Sequence, residues 1–341
     1  MRKTSGLIAS VALLGASLFV GPAASASPVS ITGGGSSFAG GIFTACAAAY
    51  TTNTVTYTPS SSGTGRSAFA NGSITFAGSD AGYGATDKKP SGFTYVPVIG
   101  GPVAIVFNVP GVRSLNLDAA TVGAIFNGKI TKWNDAAIKK LNPRAALPDA
   151  TITPVYRSSN SGTTENFSNY LAQNKVAGWT KSGSWSTATG LSTPVGSGQS
   201  TSALLADKVE STTNSIGYAD LVDVKKKALP AAALRNGSGQ FVLPTAAAAA
   251  RYLAAQTVGV KDKGLVNIDF TMKVRGGYNL SILTYMIAPT DASDTAKALA
   301  VKDFAKYILN TCAPSKAADL GYVALTGSLK TTALRLTDSI D

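Results

Sequence analysis

The sequence of 341 residues contains no histidine, and only 14% of its residues are charged. Without histidine there is no Ser-His-Asp triad, no HExxH zinc site and no histidine general base. The apolar fraction of 45% excludes an intrinsically disordered chain. Because glycine (35 residues), serine and threonine are abundant, we expect a binding site built mainly from backbone N–H groups and hydroxyls, with a few carboxylates and arginines.

Long apolar runs are also scarce, and the one at the start of the chain has the features of a secretory signal. Arg2 and Lys3 precede an apolar stretch over 7–20, and the small-residue motif Ala24-Ser25-Ala26 follows it. A membrane anchor is the alternative, but the stretch is short for a span and helix-breaking residues come after it. We therefore expect residues 1–26 to be a cleaved signal peptide and the mature chain to be soluble and exported, to a periplasm or outside the cell.

Cysteine is nearly absent, since Cys46 and Cys312 are the only two. An even pair in an exported chain favours a disulfide, and two buried free thiols are the alternative. A bond would join the beginning of the mature chain to its end. Both terminal segments would then belong to the same lobe of the protein.

The net charge is positive but diffuse. It is +12 for the full chain and falls to +10 when the signal peptide removes Arg2 and Lys3. The longest basic run is Lys225-Lys226-Lys227, and no aromatic residues are interleaved with it. We therefore expect an ordinary solvated surface and no nucleic-acid partner. Such a field would still raise the local concentration of a small anion.

The first part of the mature chain alternates strands, small-residue turns and helices. The pattern predicts strands over 29–32, 54–58 and 74–77, each followed by a Gly/Ser-rich turn. Helices are expected after the first two turns, ending near Tyr50 and Phe69. This rhythm is typical of an α/β sheet whose loops lie at the carboxyl ends of the strands.

Two segments in the rest of the chain carry expectations of their own. Residues 178–200 are rich in Gly, Ser and Thr, and we expect a long loop there. Residues 295–309 have the pattern of an amphipathic helix, with Leu299, Phe304 and Ile308 on its apolar face.

Four loops share one chemistry, namely residues 33–38, 60–63, 78–80 and 157–163. At least three of them precede predicted helices, and a helix N-terminus offers unpaired N–H groups and a partial positive charge to an anion. Serine and threonine add hydroxyl donors, and Arg157 adds a fixed charge that can contact two oxygens. Each loop alone is readily explained by helix capping. The four together, one of them carrying an arginine, favour an oxyanion site.

Asp80 is the informative exception among these donors. A carboxylate beside an anion is unfavourable unless the anion brings a proton. A protonated phosphate can donate that proton to Asp80, whereas sulfate at neutral pH cannot and would be repelled. The alternative is that Asp80 only caps a helix or a turn.

Taken together, these segments resemble the phosphate-binding proteins of high-affinity phosphate ABC transporters, including their secreted relatives called DING proteins. The resemblance covers most of the mature chain and rests on seven segments in the order of the family. They are Gly33-Gly34-Gly35-Ser36-Ser37-Phe38, Ser61-Ser62-Gly63, Ala77-Gly78-Ser79-Asp80, Ile125-Phe126-Asn127-Gly128-Lys129-Ile130-Thr131-Lys132-Trp133-Asn134, Arg157 with Ser161-Gly162-Thr163, Ser215-Ile216-Gly217-Tyr218, and Gly321-Tyr322-Val323.

The resemblance implies an α/β, two-lobed periplasmic-binding-protein (Venus flytrap) fold. Each lobe would be a mixed β-sheet flanked by helices, and two crossover strands, within 103–110 and 278–287, would join them. Lobe one would comprise residues 27–107 plus 284–341, and lobe two residues 108–283.

The ligand contacts of the family carry over to eight positions. They are the hydroxyl and N–H of Ser37, the N–H of Phe38, Ser61, Asp80, Arg157, Ser161, the N–H of Gly162, and Thr163. Two departures affect this set. The run Ser60-Ser61-Ser62 leaves the matching serine uncertain by one position, and Ser159 stands where some relatives have an Asp that pairs with the arginine.

The expected function is therefore binding of inorganic phosphate, with arsenate as an analogue, by a monomer that needs no cofactor and performs no catalysis. Its expected partner is the membrane permease of a phosphate ABC transporter, to which the lobes would deliver the dehydrated anion by closing on it. A secreted phosphate scavenger without a transporter and an exported phosphoesterase are the alternatives. The phosphoesterase would need a metal or an activated nucleophile.

Overall fold

The computed structural model describes residues 27–256 and 260–341, so the expected signal peptide lies outside the described residues. The strands have the following bounds: β1 Ser30–Gly35, β2 Thr54–Pro59, β3 Phe76–Ser79, β4 Phe93–Asn108, β5 Asn116–Leu117, β6 Thr153–Arg157, β7 Ser197–Gln199, β8 Ser215–Asp220, β9 Ala233–Arg235, β10 Phe241–Val242, β11 Val260–Lys261, β12 Leu265–Val266 and β13 Ser281–Pro289.

The helices alternate with these strands along most of the chain, as the sequence predicts for its first part. Their bounds are α1 Gly40–Ala49, α2 Ser62–Ala70, α3 Ala119–Phe126, α4 Ala136–Leu141, α5 Gly162–Gln173, α6 Trp185–Thr189, α7 Ser202–Ser211, α8 Leu221–Lys226, α9 Ala246–Ala254, α10 Thr295–Tyr307, α11 Ala313–Lys316 and α12 Gly327–Thr337. A π-helical turn, Ile308–Cys312, connects α10 to α11. None of the helices in the described parts of the chain combines the length and the apolar character needed to cross a membrane.

One eight-stranded sheet, in the order β2-β1-β3-β13-β4-β8-β6-β7, organises the molecule. Strands β1, β2 and β3 are parallel, and β13 runs antiparallel to both β3 and β4. At the other end β6 is parallel to β7 and β8, and β8 is antiparallel to β4. Smaller sheets are formed by β10-β9-β5 and by β11-β12.

The long strand β4 belongs to both ends of this sheet. Its residues 93–102 pair with β13, and its residues 103–108 pair with β8. Pro102 lies where the partner changes, and proline lacks the N–H that would continue the ladder. We call the strands β2, β1, β3, β13 and residues 93–102 the first half-sheet. Residues 103–108 with β8, β6 and β7 form the second half-sheet.

The disulfide between Cys46 and Cys312 is present, with a Cα–Cα distance of 5.7 Å. Both residues are buried, and the bond joins α1 to the π-helical turn after α10. The pairing of the two cysteines, left open by the sequence, is therefore confirmed. The bond lies within the part of the molecule built on the first half-sheet.

The expected long loop over 178–200 is partly wrong, because it contains α6 and β7. Trp185 on α6 is buried and stacks on Tyr156 with the ring centroids 4.7 Å apart. Strand β7 pairs in parallel with β6. Tertiary packing thus orders a segment whose small-residue composition predicts no regular structure.

The apolar face expected on the helix from 295 onward is correct at two positions and wrong at one. Phe304 and Ile308 are buried together with Val301, but Leu299 is 48% exposed. Residues 301, 304 and 308 follow the spacing of three to four that keeps side chains on one face, and residue 299 does not.

Candidate functional site

The four polar loops meet, although the α/β pattern predicts a shared edge only for the three that follow β1, β2 and β3. Strands β1, β2 and β3 end side by side in the first half-sheet, and β6 ends at Arg157 in the second. Contacts join the two groups of loops: the N–H of Gly63 donates to the carbonyl of Asn160 at 2.9 Å, and the Oγ1 of Thr163 donates to Asp80 at 3.3 Å. Residues from both half-sheets therefore form one site.

Three helices begin at this site. The caps of α2, α5 and α7 are Ser61, Ser161 and Thr201, and each side-chain oxygen accepts an N–H of its own first turn at 3.2 Å. The capping explanation therefore holds for Ser61 and Ser161, which are both predicted site residues. It does not compete with ligand binding, because a capping hydroxyl that accepts through its oxygen can still donate its proton.

Asp80 is buried and accepts hydrogen bonds from four hydroxyl groups. Ser36 and Thr284 donate to Oδ1 at 2.6 and 2.7 Å. Ser62 and Thr163 donate to Oδ2, both at 3.3 Å. A carboxylate offers about four lone-pair sites, so these hydroxyls account for all of them in this structure.

Burial raises the pKa of the Asp80 carboxyl above its ordinary value. The hydroxyls of Ser36 and Thr284, the charge of Arg157 and the hydroxyl of Ser62 act in the opposite direction and lower it. Hydrogen bonds to the ionised form are what keep a buried carboxylate charged. The charge state of Asp80 is therefore set by its hydroxyl neighbours.

Arg157 is 1% exposed, and its guanidinium is held by neutral groups. Its Nε and Nη2 donate to the carbonyl of Ser200 at 3.1 and 2.7 Å, and Nη2 also donates to Ser159 Oγ at 3.1 Å. Nη1 donates to Ser202 Oγ at 3.3 Å, and Nη2 reaches the carbonyl of Ser60 at 3.4 Å. Burial lowers the pKa of the guanidinium. Within residues 27–256 and 260–341, no carboxylate forms an ion pair with Arg157.

Ser159 lies two residues after Arg157 and contacts its guanidinium through a hydroxyl. Its Oγ accepts from Arg157 and donates to the carbonyl of Ser200 at 2.9 Å. The hydroxyl therefore still orients the guanidinium but leaves its positive charge unneutralised.

The loop over residues 36–38 is fixed by two buried tyrosines. The hydroxyl of Tyr57 donates to the carbonyl of Ser36 at 2.9 Å, and that of Tyr322 donates to the carbonyl of Phe38 at 2.6 Å. Holding these carbonyls orients the adjoining peptide groups. Ser37 reaches across to the second half-sheet, because its Oγ accepts the N–H of Ser202 at 3.1 Å.

Gly162 lies where the two halves approach most closely. A Cβ at this position would be 2.4 Å from Ser62 Oγ and 2.9 Å from Asp80 Cβ. No side chain fits without displacing one of these groups. The N–H groups of Phe38, Gly162 and Thr163 have no protein acceptor among the described residues.

The run Ser60-Ser61-Ser62 has a separate contact for each residue. Ser60 accepts from Arg157 through its carbonyl, Ser61 caps α2, and Ser62 both donates to Asp80 and accepts the Asp80 N–H at 3.1 Å. All eight predicted site residues thus lie at the junction of the two half-sheets. The hydroxyl of Ser61 has a further partner within its own helix, Thr64 Oγ1 at 2.9 Å.

Three hydroxyl residues of the site, Ser36, Thr284 and Ser202, are not among the eight predicted positions, and Ser62 is the alternative that the serine run leaves open. Ser202 has a usable signal, since Ser200-Thr201 immediately precedes it at the start of α7. Thr284 has no such sequence signal, because it lies 204 residues from Asp80 in a strand whose apolar sequence indicates only a structural role.

The site combines one fixed positive charge, several N–H and O–H donors and one carboxylate. Such a set suits a small oxyanion that carries a proton. In the described parts of the chain there is no group of three or more His, Cys, Asp and Glu side chains that could hold a metal ion.

Known proteins share this architecture. The family model of the PBP superfamily domain matches residues 22–311. The fold is also that of a high-affinity periplasmic phosphate-binding protein of the DING type, solved with phosphate (TM-score 0.72, 21% identity, 89% of this chain and 92% of that one). A phosphate-binding protein from Stenotrophomonas maltophilia is similar (TM-score 0.68, 18% identity, 90% and 93%). Fold and site together define an α/β protein of the periplasmic-binding-protein type.

Relatives with higher sequence identity define the family more narrowly. The phosphate-binding protein PstS of Xylella fastidiosa is 33% identical over 307 residues, which is 88% of this chain and 83% of that protein. PstS 3 of Mycobacterium tuberculosis is 31% identical over 81% of this chain and 76% of its own length. The chain belongs to the PstS family of phosphate-binding proteins within the PBP superfamily.

Proposed function

We propose that this protein binds inorganic phosphate, with arsenate as an analogue, at the junction of the two half-sheets. The observation that carries the proposal is Arg157, a buried guanidinium with no carboxylate partner among the described residues. A buried charge is unfavourable unless it is paired. A small anion supplies the missing countercharge.

In this proposal each predicted site residue has a defined role. Arg157 supplies the charge. The N–H groups of Phe38 and Gly162 and the hydroxyl and N–H of Ser37 donate to phosphate oxygens, as do the hydroxyls of Ser61, Ser161 and Thr163. The N-termini of α2, α5 and α7 add their partial positive charges.

Asp80 supplies selectivity. Its carboxylate accepts the proton of a phosphate O–H, and one or more of its present hydroxyl donors turns to the anion instead. Fully ionised sulfate offers no proton, so it leaves Asp80 unpaired and repelled.

The two half-sheets correspond to two lobes that close on the anion. The exchange of partners along β4, between residues 102 and 103, supports a first crossover there. The start of β13 at Ser281 supports the second. These positions are a few residues before the boundaries at 107 and 283 that the resemblance implies. Contacts such as Gly63 to Asn160 would form on closure and break on opening.

The bound phosphate would pass to the membrane permease of an ABC transporter after export of the mature chain. The PstS relatives support this role, as does a similar fold described as a phosphate ABC transporter substrate-binding protein from Clostridium perfringens (TM-score 0.60, 16% identity, 87% of this chain and 100% of that one). Likeness to DING proteins keeps a secreted scavenger without a transporter as the second candidate. In either case the protein binds and does not catalyse.

Calorimetry on the mature protein tests the proposal. Phosphate and arsenate should each bind at one site per chain, and sulfate in millimolar excess should not compete. Comparable affinities for sulfate and phosphate would reject the assignment. Turnover of a phosphomonoester, lost in Arg157→Ala, would favour the phosphoesterase instead.

A further inference from the structure

The two oxygens of the Asp80 carboxylate have different surroundings. The bonds to Oδ1, from Ser36 and Thr284, are short at 2.6 and 2.7 Å. The bonds to Oδ2, from Ser62 and Thr163, are longer at 3.3 Å each. Ser62 and Thr163 lie at the first turns of α2 and α5, where the anion would sit. Oδ2 is therefore the oxygen available to a ligand, and Oδ1 is held by the protein.

Thr284 lies beside Asp80 because of the pairing between β13 and β3. Tyr285 pairs with Ser79 and Met286 with Gly78, so the same antiparallel register places Thr284 opposite Asp80. On its other side β13 pairs with β4, where the register shifts next to Thr284 and leaves Val98 of β4 as the extra residue of a bulge, a feature that occurs often next to functional sites. Thr284 is fully buried, and its Oγ1 donates only to Asp80 among the described residues.

We propose that Thr284 is a positioning residue for anion selectivity: together with Ser36 it occupies Oδ1, keeps Asp80 ionised and leaves Oδ2 to accept a proton from the ligand. The inference rests on the proposed phosphate binding. It adds Thr284, a residue of β13 that lies outside the eight positions that the resemblance implies. Through Asp80, Thr284 selects between protonated and unprotonated oxyanions.

Several charged and titratable groups surround Asp80, and the buried carboxyl of Asp220, whose pKa burial raises, acts on Arg157. Arg157 faces Asp80 with a positive charge. Three tyrosines also interact with Asp80, namely Tyr57, Tyr285 and Tyr322. Burial raises the pKa of each tyrosine, so all three stay neutral in acid. Glu165 lines the same cavity as Asp80 and is paired with Lys181 at 3.3 Å.

Loss of the Thr284 hydroxyl should make protonation of Asp80 easier. The carboxylate would lose one of its two short hydrogen bonds, and bonds to a charged group are the strong ones. We therefore expect the pKa of Asp80 to rise when this hydrogen bond is lost. A protonated Asp80 is a donor, so it would tolerate the fully ionised sulfate that the carboxylate repels.

The test measures phosphate and sulfate affinities by calorimetry across the acidic and neutral pH range. Sulfate is the diagnostic probe because it does not itself titrate there. The variants are Thr284→Val, which keeps the shape and removes the hydroxyl, and Thr284→Ser, which keeps the hydroxyl. Thr94→Val is the matched control, since Thr94 is also a buried strand threonine but donates to the carbonyl of Lys263. Glu165→Gln controls for the neighbouring carboxyl.

In Thr284→Val the pH below which sulfate begins to bind should rise by about one to two units, while phosphate still binds at neutral pH. Thr284→Ser, Thr94→Val and Glu165→Gln should keep the profile of the parent protein. If Thr284→Val does not fold, Ser36→Ala removes the other Oδ1 donor and should shift the profile in the same direction. A parent-like sulfate profile in Thr284→Val, or an equal shift in Thr94→Val, would overturn the inference. Failure of the parent protein to bind phosphate would instead overturn the proposed function.

Discussion

The two halves of the molecule each contain one buried charge of the site, and they hold it in the same manner. In the first half-sheet Asp80 accepts from three hydroxyls of its own half and from Thr163 of the other. In the second, Arg157 donates to three acceptor residues of its own half and to Ser60 of the other. Each charge is thus solvated by neutral groups, with one contact across the junction.

The difference lies in what each charge still lacks. The hydroxyls around Asp80 fill the lone pairs of a carboxylate, so this group is satisfied without a ligand. The carbonyls and hydroxyls around Arg157 orient the guanidinium but bring no negative charge. We infer that Arg157 supplies most of the affinity and Asp80 most of the selectivity. The following predictions separate these two roles. The first concerns the disulfide, whose removal should change neither affinity nor selectivity.

The largest expected effect is on stability. Replacing both cysteines (Cys46→Ser with Cys312→Ser) removes a bond between residues 266 positions apart. The chain-entropy model assigns a loop of that length about 5 kcal/mol of unfolding free energy. Because the bond lies within one half, the free energy of unfolding measured with denaturant should fall, while phosphate affinity stays nearly intact. A large loss of affinity would show that the bond also shapes the site.

Arg157→Ala should reduce phosphate binding by about 2–5 kcal/mol, the range for truncating one partner of a buried charge pair. Calorimetry measures the affinity, and circular dichroism checks that the fold survives. Arg251→Ala is the control, since Arg251 is exposed and its guanidinium donates to the carbonyl of Gly276 on the surface. Unchanged affinity in Arg157→Ala would contradict the role given to the buried charge.

Asp80→Asn should have a smaller effect on phosphate, about 1.5–3 kcal/mol, and should admit sulfate. The amide can donate to a fully ionised oxygen, and it removes the negative charge that repels one. Competition titrations with sulfate measure the change. A variant that still excludes sulfate would assign selectivity to another group.

Gly162→Ala should lower phosphate affinity by about 1–3 kcal/mol, the usual cost of overpacking. The added methyl group would meet Ser62 and Asp80, so it should oppose approach of the two halves without removing a ligand contact. Gly190→Ala is a poor control because of its positive φ. Gly84→Ala is suitable, since Gly84 lies outside the four loops and the nearest atoms to a Cβ there are those of the Asp87 carboxyl group, at 3.4–3.5 Å. Small-angle scattering should show that phosphate compacts Gly162→Ala less than the parent protein.

Much of this arrangement could be predicted from the sequence because it is local. Asp118 is a residue type favoured at helix N-termini, and its side chain accepts the N–H of Thr121 at 2.9 Å at the start of α3. The alternation of strands and turns also predicts which loops share an edge of the sheet. The convergence of the three loops after β1, β2 and β3 follows from that rule, whereas their contact with the loop after β6, which runs in the opposite direction through the sheet, does not.

The remainder depends on contacts between distant parts of the chain. Neither the strand pairing that places Thr284 beside Asp80 nor the stacking that orders Trp185 leaves a local pattern. Ser159 beside the arginine is visible in the sequence, but the carbonyl of Ser200 that accepts two bonds from Arg157 is not. Hydrogen bonds to backbone carbonyls depend on the fold and leave no residue type to recognise.

The most direct test of the central claim is the identity of the anion that the protein retains. The mature chain would be purified in buffers free of phosphate and sulfate, then denatured, and the released ligand identified by mass spectrometry. The account predicts inorganic phosphate at close to one per chain in the parent protein and its loss in Arg157→Ala. Sulfate, a phosphate ester, or equal retention of phosphate by both proteins would contradict it.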